Sequence, residues 1–110
     1  MAELRRTIMN TFEDEMACDM FIMGLKNKWP EFKENVGNCS IEIMKDANDP
    51  RCMSAIWTVE DPDDFMVLTK YGEEIINPFR AKLAPKTETF SGVVEAKFVF
   101  GPETDLGLSD

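Results

Sequence analysis

Cys39-Ser40-Ile41-Glu42-Ile43-Met44, then Lys45-Asp46-Ala47-Asn48-Asp49-Pro50, then Met53-Ser54-Ala55-Ile56-Trp57-Thr58-Val59: this stretch decides the fold. Its two outer runs alternate apolar and polar side chains, the period of a half-buried strand, and the segment between them is made of turn-forming residues. A β-hairpin is predicted. Centring its loop on Asn48 sets Ile43 opposite Met53, Ile41 opposite Ala55 and Cys39 opposite Trp57. A slip by one residue would put apolar side chains opposite polar ones, so the pattern selects this register.

Towards the C-terminus, Asp61-Pro62-Asp63-Asp64 offers an N-cap, a proline at the first helical position and carboxylates where the helix dipole favours them. Phe65, Leu68, Gly72, Ile75, Ile76, Phe79 and Leu83 then recur at three- and four-residue spacing, giving one continuous helix face. A bend is expected near Asn77-Pro78, and Pro85 ends the helix. Beyond it, Phe90, Val94, Ala96, Phe98 and Phe100 are predicted to line one face of a last strand, with Ser91, Val93, Glu95, Lys97 and Val99 on the other.

Towards the N-terminus, Trp29-Pro30 should break or bend a preceding helix, and Phe32 with Val36 suggests a further turn closing at Gly37. That helix carries Met16, Ala17, Met20, Phe21, Met23 and Leu25, more apolar surface than one narrow stripe needs. Thr11, three residues before Asp14, reads as its capping signal, and alternation from Leu4 to Phe12 predicts a first strand.

Strand, helix, hairpin, helix, strand is the split βαβ order, a ferredoxin-like α+β fold in which both helices cover one face of a four-stranded antiparallel sheet. The other face is left open, with Met44, Ile56, Val93 and Val99 among Glu42, Glu95 and Lys97. A half-apolar exposed face suits a partner surface. A chain of 110 residues with 44% hydrophobic content supports one core, so a single domain over residues 1–100 is expected, paired with a second copy as a homodimer. Residues 101–110 hold glycine, proline, threonine and three acids with two leucines, and read as an acidic, disordered tail.

Twelve basic against twenty-one acidic residues give a net charge of -9, the wrong sign for neutralising phosphates or settling on anionic lipid, and the basic residues form no stripe. No nucleic-acid partner and no membrane association are expected. Cys18, Cys39 and Cys52 have no Cys-x-x-Cys spacing and there is no histidine, so they read as reduced core thiols rather than metal ligands. No metal or cofactor is expected. The first residues lack the apolar block of a secretion signal, which places the expectation in the cytoplasm.

The stretch Glu31-Phe32-Lys33-Glu34-Asn35-Val36-Gly37-Asn38-Cys39-Ser40-Ile41-Glu42-Ile43, the hairpin, the acidic cap before Phe65 and Asn77-Pro78-Phe79-Arg80-Ala81-Lys82-Leu83 together resemble the dimeric α/β-barrel superfamily of antibiotic biosynthesis monooxygenase-like domains. The resemblance spans residues 3–100 and is one of layout more than of catalytic motif. It implies two protomers packed sheet to sheet, each with an apolar pocket under its helices. Some members oxidise polycyclic substrates without a cofactor and others cleave haem with an asparagine, a tryptophan and a histidine. The absence of histidine here disfavours haem cleavage. Val59 stands at the usual tryptophan position, and Trp57 stands where glutamate is frequent, still pointing toward the helices.

The ligand-binding residues expected from these readings are Arg6, Met20, Met23, Trp57, Phe65 and Tyr71, around an elongated apolar or fatty-acid-like molecule held between helices and sheet. Arg6 shares strand parity with Leu4 and Ile8 and could meet a ligand carboxylate, or pair with an acid such as Glu95. Methionines form a pliant apolar lining, and a tyrosine at the mouth can donate to a ligand oxygen. A cofactor-independent monooxygenase or isomerase using Tyr71 or Asn10 is the competing expectation, and a purely structural dimer with a filled core is the third. No catalytic pair stands out, because Asp61, Asp63 and Asp64 read as caps and Glu73-Glu74 as a solvated helix face.

Overall fold

The computed structural model describes residues 3–101. Strand β1 (Leu4–Thr11) leads into helix α1 (Glu15–Lys28), whose N-cap is Asp14, its carboxylate accepting from the Ala17 amide at 2.9 Å. The cap is therefore Asp14 itself and not Thr11, which ends β1 with its hydroxyl 3.4 Å from the Cys52 thiol. Trp29–Glu31 tightens into a single 3₁₀ turn at the proline, and the expected turn through Val36 does not form. Phe32 instead leaves the helix extended and lays its ring against Trp29 and Tyr71.

The hairpin pairs β2 (Cys39–Lys45) with β3 (Cys52–Val59). Its register is Cys39 opposite Val59, Ile41 opposite Trp57, Ile43 opposite Ala55 and Lys45 opposite Met53, two residues from the expected one. The loop centres on Asp49 because two aspartates hold it. Asp46 accepts from the amides of Asn48 and Asp49, and Asp49 accepts from the Arg51 amide and guanidinium. A shift of two leaves every side chain on its expected face.

Asp61 caps helix α2 (Pro62–Tyr71), accepting from the Asp63 amide at 2.8 Å, as the motif predicts. Gly72–Ile76 then forms a π-helical turn in which the Asn77 amide reaches back to the Gly72 carbonyl, before helix α3 (Asn77–Leu83). The widened turn sits just ahead of Pro78, whose ring has no N–H to give and crowds the carbonyl four residues back. Ala84 closes α3 in the left-handed conformation.

The last strand, β4, runs from Lys86 to Val93 and ends where the expected strand was to begin its apolar half. It pairs with β1 from Thr11 opposite Lys86 to Leu4 opposite Val93, with one further bond from the Val94 amide to the Glu3 carbonyl. Beyond that bond Val94–Phe100 runs outside the sheet. The facing also corrects the expectation: Ser91 and Val93 lie on the helix side and Phe90 on the open side, the reverse of the predicted sets, and Thr87 and Thr89 share the helix side with Ser91. The sheet order is β2-β3-β1-β4, all antiparallel, with the helices on one face: the predicted βαββαβ arrangement. Residues 102–110 of the expected tail lie outside the described residues.

Two apolar clusters fill the space between helices and sheet. One joins Phe12, Cys18, Phe21, Leu25, Met53 and Ile76, and the other joins Ile8, Trp57, Val59 and Leu68. The buried stripe of α1 is Cys18, Phe21 and Leu25, at three- and four-residue spacing. Lys45 ties β2 to the outside of α1 through Glu15 and Asp19, at 2.9 and 2.8 Å. Among the described residues no helix is long and apolar enough to cross a membrane.

Candidate functional site

A cavity of about 180 Å³ opens at the seam of the two clusters. Its apolar wall is Ile8, Leu25, Ala55, Trp57, Ile76 and the edge of Trp29, and its polar wall is Arg6, Thr69, Thr89, Glu73, Asn77 and Arg80. Alternation on β1 and β3 delivers Arg6, Ile8, Ala55 and Trp57 to the helix side, and the reversed facing of β4 adds the hydroxyl residues Thr89 and Ser91.

Arg6 crosses the floor of this space. Its Nε donates to the Ser91 hydroxyl at 2.8 Å and Nη1 to the Thr69 hydroxyl at 3.3 Å, while the guanidinium lies 4.5 Å from the Phe65 ring centre and 5.2 Å from that of Trp57. Partial burial lowers its pKa, opposed by the charge of Glu73. Glu95 makes no ion pair with it. Arg80 comes from α3, where Nη1 bonds the Asn77 side chain, and the guanidinium lies 5.4 Å from the Phe21 ring centre. Its Nε is closed off from solvent without a hydrogen-bond partner, and burial lowers its pKa as well. Neither arginine has a carboxylate in salt-bridge contact among the described residues.

Of the six residues expected at a ligand site, Arg6, Trp57 and Phe65 come together, with the Trp57 and Phe65 rings 6.0 Å apart. Tyr71 stands apart from the cavity wall: its hydroxyl donates to the Lys28 carbonyl and its ring packs on Trp29 at 4.9 Å. Burial raises its pKa. Met20 and Met23 are on the outer surface of α1, 53% and 63% exposed, because the inward stripe already belongs to Cys18, Phe21 and Leu25. With Met16, Gly24 and Phe79 they border an open furrow on the helix exterior instead of the space over the sheet.

Asn10 is buried on β1 with its amide engaged by the Thr87 hydroxyl at 2.8 Å and the Met53 sulfur at 3.3 Å, away from the cavity wall. Arg80, Thr69, Thr89, Glu73 and Asn77 of the polar wall, with Ser91 beneath Arg6, are the polar site residues the sequence reading missed. Arg80 had one available signal, its place four residues after Ile76 and eight after Gly72 on the apolar face.

No protein-family model matches the chain, and no curated protein matches it. Solved structures do. A dimeric ferredoxin-like protein from an uncultured marine organism superposes with a TM-score of 0.69 at 14% identity, over 89% of this chain and 100% of the other. A conserved protein from Methanosarcina mazei gives 0.64 at 17% identity, covering 84% and 92%. An antibiotic biosynthesis monooxygenase gives 0.56 at 14% identity, covering 86% and 98%. At these identities the likeness establishes architecture, and the architecture is the ferredoxin-like fold shared by dimeric ferredoxin-like and antibiotic biosynthesis monooxygenase-like proteins.

Proposed function

We propose that the chain is a homodimeric binding protein, each protomer holding a small amphipathic molecule in the cavity between Trp57 and the helices. The observation that carries this reading is the cavity's composition: one apolar, aromatic wall and one wall of convergent polar groups, the usual make-up of a ligand site. Its volume, about 180 Å³, is below the range typical of drug-sized ligands and favours a compact molecule over the elongated, fatty-acid-like one expected from sequence. The open sheet face, where Met9, Met44 and Phe90 are at least half exposed or nearly so, supports pairing through that face. Two of the similar solved structures are described as dimeric, which agrees with this arrangement.

Binding is favoured over cofactor-independent oxygenation or isomerisation because Asn10 and Tyr71, the side chains that would position a substrate, have their polar atoms engaged elsewhere. A purely structural dimer would be expected to fill the cavity. Native mass spectrometry of protein purified without added ligand, followed by denaturation, tests both parts. A dimer that releases a small organic molecule supports the reading; a monomer removes the homodimer, and a dimer that takes up none of a panel of small amphipathic acids and amides removes the binding role.

A further inference from the structure

We infer that the cavity recognises a monoanionic carboxylate, gripped between Arg6 and Arg80 with its apolar body against Trp57; this deepens the binding role proposed above and rests on it. Two guanidinium groups from different elements, β1 and α3, line one small space, and neither is neutralised by a carboxylate contact. A charge held partly out of water without a counter-ion is costly, and an incoming anion would relieve that cost at both positions.

The donors that remain support a carboxylate. Arg6 uses Nε on Ser91 and Nη1 on Thr69, leaving Nη2 without a protein partner. Arg80 uses Nη1 on Asn77, leaving Nη2 as its available donor, since its Nε is shielded. Arginine forks pair with carboxylates through such N–H groups, in short, charge-assisted bonds. The charge balance sets the valence: the charged groups of the wall are Arg6, Arg80 and Glu73, a net of one positive charge. A single negative charge matches it, whereas a dianion such as a phosphate monoester would face Glu73 uncompensated. The indole of Trp57, 3% exposed, provides the flat apolar surface for the remainder of the ligand.

Tryptophan fluorescence titrations of the full chain with benzoate, benzamide and phenyl phosphate test this, since Trp29 and Trp57 both border the cavity. Benzoate should bind roughly tenfold or more tightly than its neutral isostere benzamide. Arg6→Gln and Arg80→Gln should each weaken benzoate by about the same factor and benzamide by clearly less, with unchanged thermal unfolding showing that the variants are folded. Phenyl phosphate should bind more weakly than benzoate, and Glu73→Gln should narrow that gap. Equal binding of benzoate and benzamide, or arginine variants that bind benzoate as well as the parent, would overturn carboxylate recognition while the binding role survives. Phenyl phosphate binding more tightly than benzoate would overturn the monoanion. Failure of all three probes to bind would remove the cavity as a ligand site and the carboxylate with it.

Discussion

The two ends of the layer between helices and sheet are built from the same strands and differ in how they treat polar groups. At the Phe12 end, Phe12, Phe21 and Met53 pack together, and the amide of Asn10 finds its partners within the protein, on Met53 and Thr87. At the Arg6 end the layer stays open, and two guanidinium groups keep unpartnered N–H groups. A polar group in a finished core is satisfied internally, and one in a binding site has capacity left over. The contrast separates a residue that holds the fold from residues available to a ligand.

The closed end should break hardest. Phe21→Ala removes a fully buried ring that meets Phe12 at 5.4 Å and Phe79 at 5.5 Å, and should cost about 3–5 kcal/mol in urea unfolding. Gly24→Ala drives a methyl into the Phe79 ring, where α1 and α3 meet. Despite alanine's better helix propensity it should destabilise by about 1–3 kcal/mol, as overpacking does, lowering the melting temperature. Asn10→Leu should cost about 1 kcal/mol, since the exposed Thr87 hydroxyl can turn to water once its partner is gone. At the open end Arg6→Met should change stability by less than about 1 kcal/mol, because relief of a desolvated charge offsets the lost contacts. A large loss there would show that Arg6 is structural and erase the contrast.

The smallest effect lies outside both ends, in the hairpin loop. Arg51 beside Asp49 holds that carboxyl at about 2, against an ordinary value of 3.8. A lowered carboxylate contributes stability above its ordinary pKa and loses it as the pH falls through the window from 3.8 to about 2. Asp49→Asn should therefore flatten the acid side of the stability profile in that window, slightly, because the pair is exposed.

How far the sequence could be read follows from which signals are local. The hairpin faces were legible because parity survives a two-residue shift, although the register itself depended on Asp46 and Asp49 accepting particular amides. The Asp61-Pro62 helix start was legible because capping needs only neighbours. β4 was misread because Lys86-Thr87-Glu88-Thr89 looks like a polar connection until β1 is known to be free beside it, and the apolar run after Val94 then lies outside the sheet. Met20 and Met23 were misplaced because α1 has more apolar residues than its buried stripe can use. Arg6 was legible from strand parity. Arg80 was legible only in its spacing from Ile76, since the phase of that whole segment against β1 depends on the irregular turn before it.

That turn has a consequence for phase. A π-helical turn is an α-helix carrying one extra residue, and each residue advances an α-helix by about 100°. Tightening Gly72–Ile76 into a regular α-helix with all five residues kept would rotate everything beyond it by about that angle, carrying Arg80 round the axis while Arg6 stayed on its strand. The two arginines are therefore in step because the turn ahead of Pro78 absorbs one residue, a vernier that sets one wall of the cavity against the other.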